Sequence, residues 1–291
     1  MTNAGRLRAF IFACLAPTLI VYGLFAVVPI AWSAYYGFFD WSGIGDPKFA
    51  GWANYAAVVQ EPLFWRALKN NIIIVGASIF GQLPIALLLA ILLNRNSWFG
   101  RAIRSAVFMP MVLSTVVVAL IWKYIYHPQI GVLNYVLKAI GLESWAMPWL
   151  SDPAINMYAV SIPVIWANIG PYLIIFISAI QNLPSEVDEA ARLDGATGAK
   201  KLVLVTLPMI WNTIKVTVIM CIAGSLKAFD LVFVMTHGGP AHTTELLATY
   251  MYNSTFAVYR YGYGSAISTM IVLVSAVLIL LSQLLMTRKS Q

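Results

Sequence analysis

The stretch EAARLDGATGAKKLVLVTLP, residues 189–208, is a short polar segment between two long apolar stretches of the chain. It carries several charged residues and two glycines, whereas only 10% of the residues in the whole chain are charged. Such a segment is costly to place in hydrocarbon, so it must lie in water while its flanks lie in a membrane. The stretch therefore predicts a chain that crosses a bilayer repeatedly and exposes this loop on one side.

The composition supports the same class of protein. The 291 residues are 60% hydrophobic, and the mean hydropathy is +0.80. Soluble domains are about 45–50% apolar and about 25% charged, so an ordinary soluble domain is excluded. The net charge of +7 does not favour a nucleic-acid partner, because membrane proteins concentrate Lys and Arg in cytoplasmic loops.

Six stretches are long and apolar enough to cross a bilayer, which requires about 20 residues per helix. They are 9–31, 70–93, 105–126, 155–180, 206–234 and 264–286. We therefore expect an all-α, polytopic membrane protein in which residues 1–291 form a single domain and 181–205 form a cytoplasmic loop. The two halves show no internal repeat, so any symmetry would come from a second chain.

The basic residues indicate how the chain is oriented. The two ends and the loops after spans two and four contain ten of the eighteen Lys and Arg residues: Arg6, Arg8, Arg95, Arg101, Arg104, Arg192, Lys200, Lys201, Arg288 and Lys289. Since cytoplasmic loops are enriched in such residues, both termini and the 181–205 loop are expected in the cytoplasm. Glu245 and the three histidines fall in or near the opposite loops, and the histidines are expected to be solvated rather than metal-bound.

Local signals divide the polar segment into two short helices. Pro184 and Ser185 start the first, and Ser185 with Asp188 forms a pair of the capping-box kind. Gly195 ends it in a left-handed conformation, and the second begins near Thr197. Small apolar side chains then form a shallow face: Ala190, Ala191, Leu193 and Ala196. That face is explained equally by insertion into a partner's groove and by an amphipathic connector resting on lipid headgroups.

The same segment resembles the EAA signature of bacterial ABC-importer permeases. The signature is Glu-Ala-Ala, three residues, Gly, nine residues, an aliphatic residue, one residue and Leu-Pro, and Val205 stands here where Ile is usual. In that family the loop inserts into a cleft of a separate ATPase subunit. The resemblance implies an ATPase-coupling role for seven residues: Glu189, Ala190, Ala191, Asp194, Gly195, Leu207 and Pro208.

Longer stretches extend this resemblance over nearly the whole chain. They are PTLIVYGLFAVVPIAWSAYYGFFDW (17–41), NNIIIVGASIFGQLPIALLLAILLN (70–94), WANIGPYLIIFISAIQNLPSEVDEAA (166–191) and FDLVFVMTHGGP (229–240). They resemble sugar permeases of the maltose and glycerol-3-phosphate type, and most closely the first of the two permease subunits. The resemblance implies the type I importer permease fold in the inner membrane of a bacterium.

The resemblance also implies partners. These are a homologous second permease subunit, two ATPase subunits that bind ATP and Mg²⁺, an extracytoplasmic substrate-binding protein, and a carbohydrate. This chain itself is expected to be neither an enzyme nor a cofactor protein, because it has no G-x-x-x-x-G-K-[ST] phosphate loop.

Polar residues within two spans predict where a substrate binds, since such residues are costly in lipid. Lys227 and Asp230 are three residues apart and are expected on one helical face of span five. A structural ion pair and a water-filled face both explain them. In maltose-type permeases the middle parts of the corresponding spans contact the sugar. Carried over by position, the resemblance implicates Asn168, Gly170, Tyr172, Ser225, Lys227, Phe229 and Asp230.

The leading hypothesis is therefore a permease subunit of an ATP-driven, binding-protein-dependent importer of a sugar, oligosaccharide or polyol. A self-sufficient secondary carrier or channel is the first alternative, and the scarcity of acidic residues within the spans disfavours proton coupling in it. A membrane scaffold is the second alternative, and it leaves the polar residues of span five unexplained.

Overall fold

The computed structural model describes the chain from residue 3 to 94 and from 97 to 287. Arg95, Arg288 and Lys289 lie outside the described residues, as do the side chains of Arg6 and Arg8, so the orientation of the termini stays a prediction. In chain order the helices are α1 (Asn3–Tyr22), α2 (Val28–Tyr36), α3 (Ala53–Gln60), α4 (Pro62–Ala77), α5 (Leu83–Leu92), α6 (Trp98–Val112), α7 (Thr115–Ile125), α8 (Val132–Ala139), α9 (Asn156–Gln181), α10 (Ser185–Leu193), α11 (Gly198–Lys201), α12 (Leu207–Met209), α13 (Trp211–Leu226), α14 (Asp230–Thr236), α15 (Leu247–Tyr252) and α16 (Tyr261–Thr287).

Shorter elements join these helices. The π-helical segments are Gly23–Val27, Ser78–Gln82, Leu202–Thr206 and Asn253–Ala257, and a 3₁₀ turn covers Glu143–Trp145. Two short antiparallel strands, β1 (Phe39–Asp40) and β2 (Lys48–Phe49), pair Phe39 with Phe49 and Asp40 with Lys48. The expectation of an all-α fold is therefore confirmed apart from this minimal ribbon.

Four helical runs in the described chain are long and apolar enough to cross a membrane: Phe10–Tyr36, Pro62–Leu92, Asn156–Gln181 and Tyr261–Met286. Two bent helix pairs raise the number to six if each pair forms one span. The first pair, α6 and α7, bends by 102°, and the second, Gly198–Met209 and α13, bends by 70°. The expected uninterrupted spans 105–126 and 206–234 are therefore wrong in detail. Hydropathy averages over a window and does not detect a proline such as Pro110 in the last turn of a helix.

Proline explains the position of most of the π-helical segments. Three of the four are followed by one residue and then a proline, at Pro29, Pro84 and Pro208. Proline lacks the N–H group of a normal helical turn, and its ring collides with the carbonyl group four residues earlier. A wider turn avoids the collision, and in each case the residue before the proline donates its N–H to a carbonyl five residues back.

Backbone contacts divide the chain into two compact units. The first unit is Met1–Pro62 with Met251–Leu273, and the second is Leu63–Tyr250 with Val274–Gln291. In the first unit Asn54 Nδ2 donates to the carbonyl oxygens of Gly37 (3.0 Å) and Phe39 (2.8 Å), which fixes the chain around the ribbon.

The second unit is centred on α9. This helix packs against both α5 and α6, while α7 packs against α14. Its apolar core includes Ile74, Val118 and Val160, all fully buried. These contacts bring α4–α5, α6, α9 and α13 together around a polar space.

The first and last spanning helices differ from those in the centre. In an 18-residue apolar window of each helical run, the first and last runs, Phe10–Tyr36 and Tyr261–Met286, bury 0% of their residues. The corresponding share is 33% in Pro62–Leu92 and 39% in Asn156–Gln181. Exposed apolar surface of this extent requires lipid or another chain to cover it. The chain by itself therefore presents the surface of a membrane subunit.

Candidate functional site

A cavity of about 260 Å³ lies within the second unit. Six of the seven residues predicted to contact substrate line its wall: Asn168, Tyr172, Ser225, Lys227, Phe229 and Asp230. Asn168 and Tyr172 come from α9 and Ser225 from the end of α13. Lys227 and Phe229 come from the break after α13, and Asp230 from the start of α14. The structure thus brings together side chains that are separated by more than fifty positions along the chain.

Gly170 is the exception, because it faces α6 rather than the cavity. A Cβ atom at this position would lie 2.9 Å from the Cα and 3.0 Å from the Cδ2 of Phe108. The absence of a side chain lets α6 and α9 approach closely. The expectation that Gly170 contacts substrate is therefore corrected to a packing role.

The expected helical face of Lys227 and Asp230 is also corrected. The helix ends at Leu226, and α14 begins at Asp230, so the two residues lie on either side of a break. Among the described residues neither side chain forms an ion pair, and both are exposed to the cavity. Lys227 follows the carboxyl end of α13 and Asp230 lies in the first turn of α14, where the helix dipoles favour a cation and an anion respectively.

Three polar residues of the wall were missed from the sequence, namely Ser78, Gln82 and Thr115. Ser78 and Gln82 lie on the π-helical segment Ser78–Gln82 and are 1% and 2% exposed. Gln82 Nε2 donates to the carbonyl oxygen of Asn168 at 3.0 Å, and Asn168 Nδ2 donates to the carbonyl oxygen of Val164 at 2.8 Å. The available signal was a pair of polar residues, four positions apart, just before Pro84 in an otherwise apolar run.

The cavity wall is suited to a polyhydroxylated ligand. Tyr172 and Phe229 supply aromatic surface, Asn168 supplies an amide, and the Cys221 thiol lies beside the hydroxyls of Ser78, Tyr172 and Ser225. Aromatic rings cover the C–H faces of such a ligand, while amides and hydroxyls bind its hydroxyl groups. Within the described residues no group of three or more His, Cys, Asp and Glu side chains could hold a metal ion.

The loop with the EAA pattern forms a second candidate site. As expected, α10 begins at Ser185, Gly195 adopts a left-handed conformation with φ +71°, and Thr197 precedes the second helix. The second helix continues through the π-helical segment Leu202–Thr206 and then bends into α13. Leu207 and Pro208 form the turn that starts α12, directly before that bend.

Two details of this loop differ from the expectation. Pro184 occupies the N-cap position of α10, and no side-chain hydrogen bond caps the helix there. Ser185 therefore does not act as the cap. The Asp188 side chain lies outside the described part of the chain. The apolar face is also narrower, because Ala191 and Ala196 are buried inside the chain, where the Ala196 N–H donates to the Ala191 carbonyl at 2.8 Å. Glu189, Ala190 and Asp194 are exposed, and Leu193 is 88% exposed. The surface available to a partner therefore consists of Leu193 and Ala190 with charged neighbours.

The chain segment between α14 and α15 is held in place by buried polar residues. Glu245 is fully buried, although the sequence places it in a loop. Its Oε1 accepts from Thr249 Oγ1 at 2.6 Å, and its Oε2 lies 2.7 Å from His242 Nδ1. Asn70 Nδ2 donates to the carbonyl oxygens of Thr243 (2.9 Å) and Glu245 (2.8 Å). The segment is therefore a fixed part of the second unit.

Known proteins resemble the chain over most of its length. Residues 82–290 match the family described as "Binding-protein-dependent transport system inner membrane component". A probable ABC transporter permease protein of Pyrococcus horikoshii is 36% identical over 93% of this chain and 93% of its own length. The lactose transport system permease protein LacF of Rhizobium radiobacter is 32% identical over 90% of this chain and 89% of its own length.

A solved structure shows the same fold. One chain of a bacterial alginate ABC transporter, in complex with an alginate pentasaccharide-bound periplasmic protein, superposes with a TM-score of 0.82 at 25% identity. The match covers 98% of this chain and 96% of the other. The similarities in sequence and in structure therefore both lead to membrane subunits of transporters.

Proposed function

Because the chain belongs to the family of binding-protein-dependent transport system inner membrane components, we propose that it forms half of the membrane pathway of an ATP-driven carbohydrate importer. A homologous second permease subunit forms the other half. A substrate-binding protein delivers the carbohydrate. Two ATPase subunits bind ATP and Mg²⁺ and also bind the loop at 181–205. Both termini and this loop lie in the cytoplasm.

The cavity between α9 and the break after α13 is the observation that carries the proposal. Its wall combines aromatic, amide and hydroxyl groups with one cation and one anion that are not paired with each other. This combination suits a ligand with many hydroxyl groups and no dominant charge. Relatives and the matched structure are named for lactose and alginate, and this supports a carbohydrate, neutral or acidic, as the substrate here.

Coupling to ATP is proposed to pass through α10. Leu193 extends into solvent from the end of this helix, and the charged residues beside it are exposed as well. An exposed apolar side chain on a short helix suits insertion into a groove of a partner. The chain runs from α10 through Gly198–Met209 and α13 to Ser225 in the cavity wall. A movement of the loop can therefore be transmitted to the cavity along continuous backbone.

The test is ATP-driven uptake by the purified complex in proteoliposomes. The complex would contain this chain, the second permease and the ATPase subunits, with the loaded binding protein added on one side. Labelled lactose, maltose, N,N′-diacetylchitobiose and glycerol are the probes. We expect uptake of at least one probe that requires both ATP and the binding protein.

A matched pair of variants separates coupling from folding. Gly195→Asp places a side chain at a left-handed position of the loop, and Gly76→Ala adds a methyl group where no atom lies within 4 Å. We expect the first to abolish uptake while the complex still inserts, and the second to transport normally. Uptake by the chain alone, driven by an ion gradient, would refute the proposal in favour of a secondary carrier.

A further inference from the structure

We propose that Ser78 and Gln82 determine substrate specificity by binding two neighbouring hydroxyl groups of a neutral carbohydrate. The inference rests on the proposed function. It gives a role to the helix pair α4–α5, whereas the residues implicated by family resemblance all lie on α9, α13 and α14 or in the break between the last two.

The position of the two residues supports this role. Both line the cavity, and both belong to the π-helical segment Ser78–Gln82, which interrupts the long helix before Pro84. The wider turn moves one residue out of the normal helical register, and such segments often lie at functional sites. The local structure therefore points two polar side chains from an apolar helix into the same space.

The hydrogen bonds of both side chains are incomplete. Ser78 Oγ is buried, and among the described residues it has no strong hydrogen-bond partner, because its neighbour is the Cys221 thiol, a weak donor and acceptor. Gln82 Nε2 donates to the Asn168 carbonyl, which fixes the amide, while its Oε1 accepts no hydrogen bond from the residues that the structure describes. A buried polar group without a partner is unfavourable, so a ligand that supplies the missing bonds gains affinity.

The chemistry of these free groups selects the ligand. The Ser78 hydroxyl can donate and accept, whereas the Gln82 Oε1 atom can only accept. Adjacent hydroxyl groups of a sugar supply a donor to Gln82 and either a donor or an acceptor to Ser78. A carboxylate would face the Gln82 oxygen acceptor to acceptor, and this disfavours an acidic sugar at this part of the wall. The pair is therefore suited to a neutral diol.

The experiment is an uptake assay on the assembled importer in proteoliposomes, with this chain as wild type or Ser78→Ala. The probes are the sugar transported by the wild type and its monodeoxy analogues, each lacking one hydroxyl group. Both versions receive sugar from the same binding protein, so the preference of that protein cancels in the comparison. The measured quantity is the Vmax/KM of the parent sugar divided by that of an analogue. For the analogue that lacks the hydroxyl bound by Ser78, we expect this ratio to be roughly three- to tenfold smaller in Ser78→Ala than in the wild type.

Control variants exclude a general structural effect. Ser161 is a buried serine of α9 whose Oγ donates to the Met157 carbonyl at 2.8 Å, and it does not line the cavity. Ser161→Ala is expected to leave every ratio unchanged. Ser78→Thr retains the hydroxyl and is expected to keep the wild-type ratios. Gln82→Met removes the acceptor and is expected to lower the ratio for an analogue deoxygenated at the adjacent position.

The outcomes separate the two proposals. If Ser78→Ala and Gln82→Met transport with wild-type ratios for every analogue, or lose parent and analogues equally, the specificity role is refuted while the importer function stands. If the wild-type complex takes up no carbohydrate at all, both the carbohydrate assignment and the specificity role are wrong. If it transports only a uronate, the carbohydrate assignment stands and the role in binding a neutral sugar is refuted.

Discussion

Replacing Gly170 by alanine tests the close contact between α6 and α9. The added Cβ would lie 2.9 Å from the Phe108 Cα, 3.0 Å from its Cδ2 and 3.3 Å from the Val107 carbonyl oxygen. The nearest of these is a backbone atom, so it cannot turn away as a side chain could. The helices must separate by several tenths of an ångström, and overpacking of this kind costs about 1–3 kcal/mol.

The measured effect is smaller than this cost, because alanine is the better helix former. The higher helix propensity of alanine stabilises the folded state by about 1 kcal/mol relative to glycine. With the overpacking cost near the top of its range, we expect the variant to be destabilised by about 1–2 kcal/mol, which lowers Tm by about 2–8 °C. Thermal unfolding of the purified complex, followed by size-exclusion chromatography after heating, measures this shift.

Two further variants make the reasoning refutable. Gly76→Ala in α4, with no atom within 4 Å of the new methyl group, is expected to raise Tm or leave it unchanged. Phe108→Ala in the Gly170→Ala background removes the side-chain contact but keeps the backbone contact, so it should not restore stability. An unchanged Tm in Gly170→Ala, together with altered sugar preference, would contradict the packing role and return Gly170 to the cavity wall.

Three more outcomes follow from the loops. Leu193→Asp, at an 88% exposed position, should abolish ATP-coupled uptake without lowering Tm, and normal uptake would refute its docking role. Asn70→Ala leaves one buried and one partly buried carbonyl group without their donor and should cost about 2 kcal/mol, seen as a Tm loss that the exposed-site variant Asn182→Ala lacks. Gly238→Ala combines a φ of +80° with a collision against Glu245 Oε2, so it should reduce the yield of folded protein.

The sequence predicts the local structure of the EAA loop well, because short-range chemistry decides it. Proline at the start of α10, glycine at a left-handed position and the next helix start all depend on neighbours within a few residues. The six apolar stretches are likewise visible, because every span needs its own run of apolar residues.

The parts that were missed depend on distant contacts or on backbone details. Glu245 is buried because Asn70, 175 positions earlier, donates to its carbonyl group, and no local pattern contains that pairing. The break after Leu226 separates Lys227 from Asp230, although both lie in what reads as one apolar span. Ser78 and Gln82 looked like incidental polar residues, since their shared cavity exists only once α9 and α13 have packed beside them.

The interruption between α13 and α14 has a consequence for how such a protein can change during evolution. Lys227, Ala228 and Phe229 lie between the two helices, and all three line the cavity. Substitutions there alter the lining without removing a bond that holds either helix together. A new nutrient preference could thus arise through a few mutations in this short piece of chain, and libraries for redesigning uptake should be randomised there first.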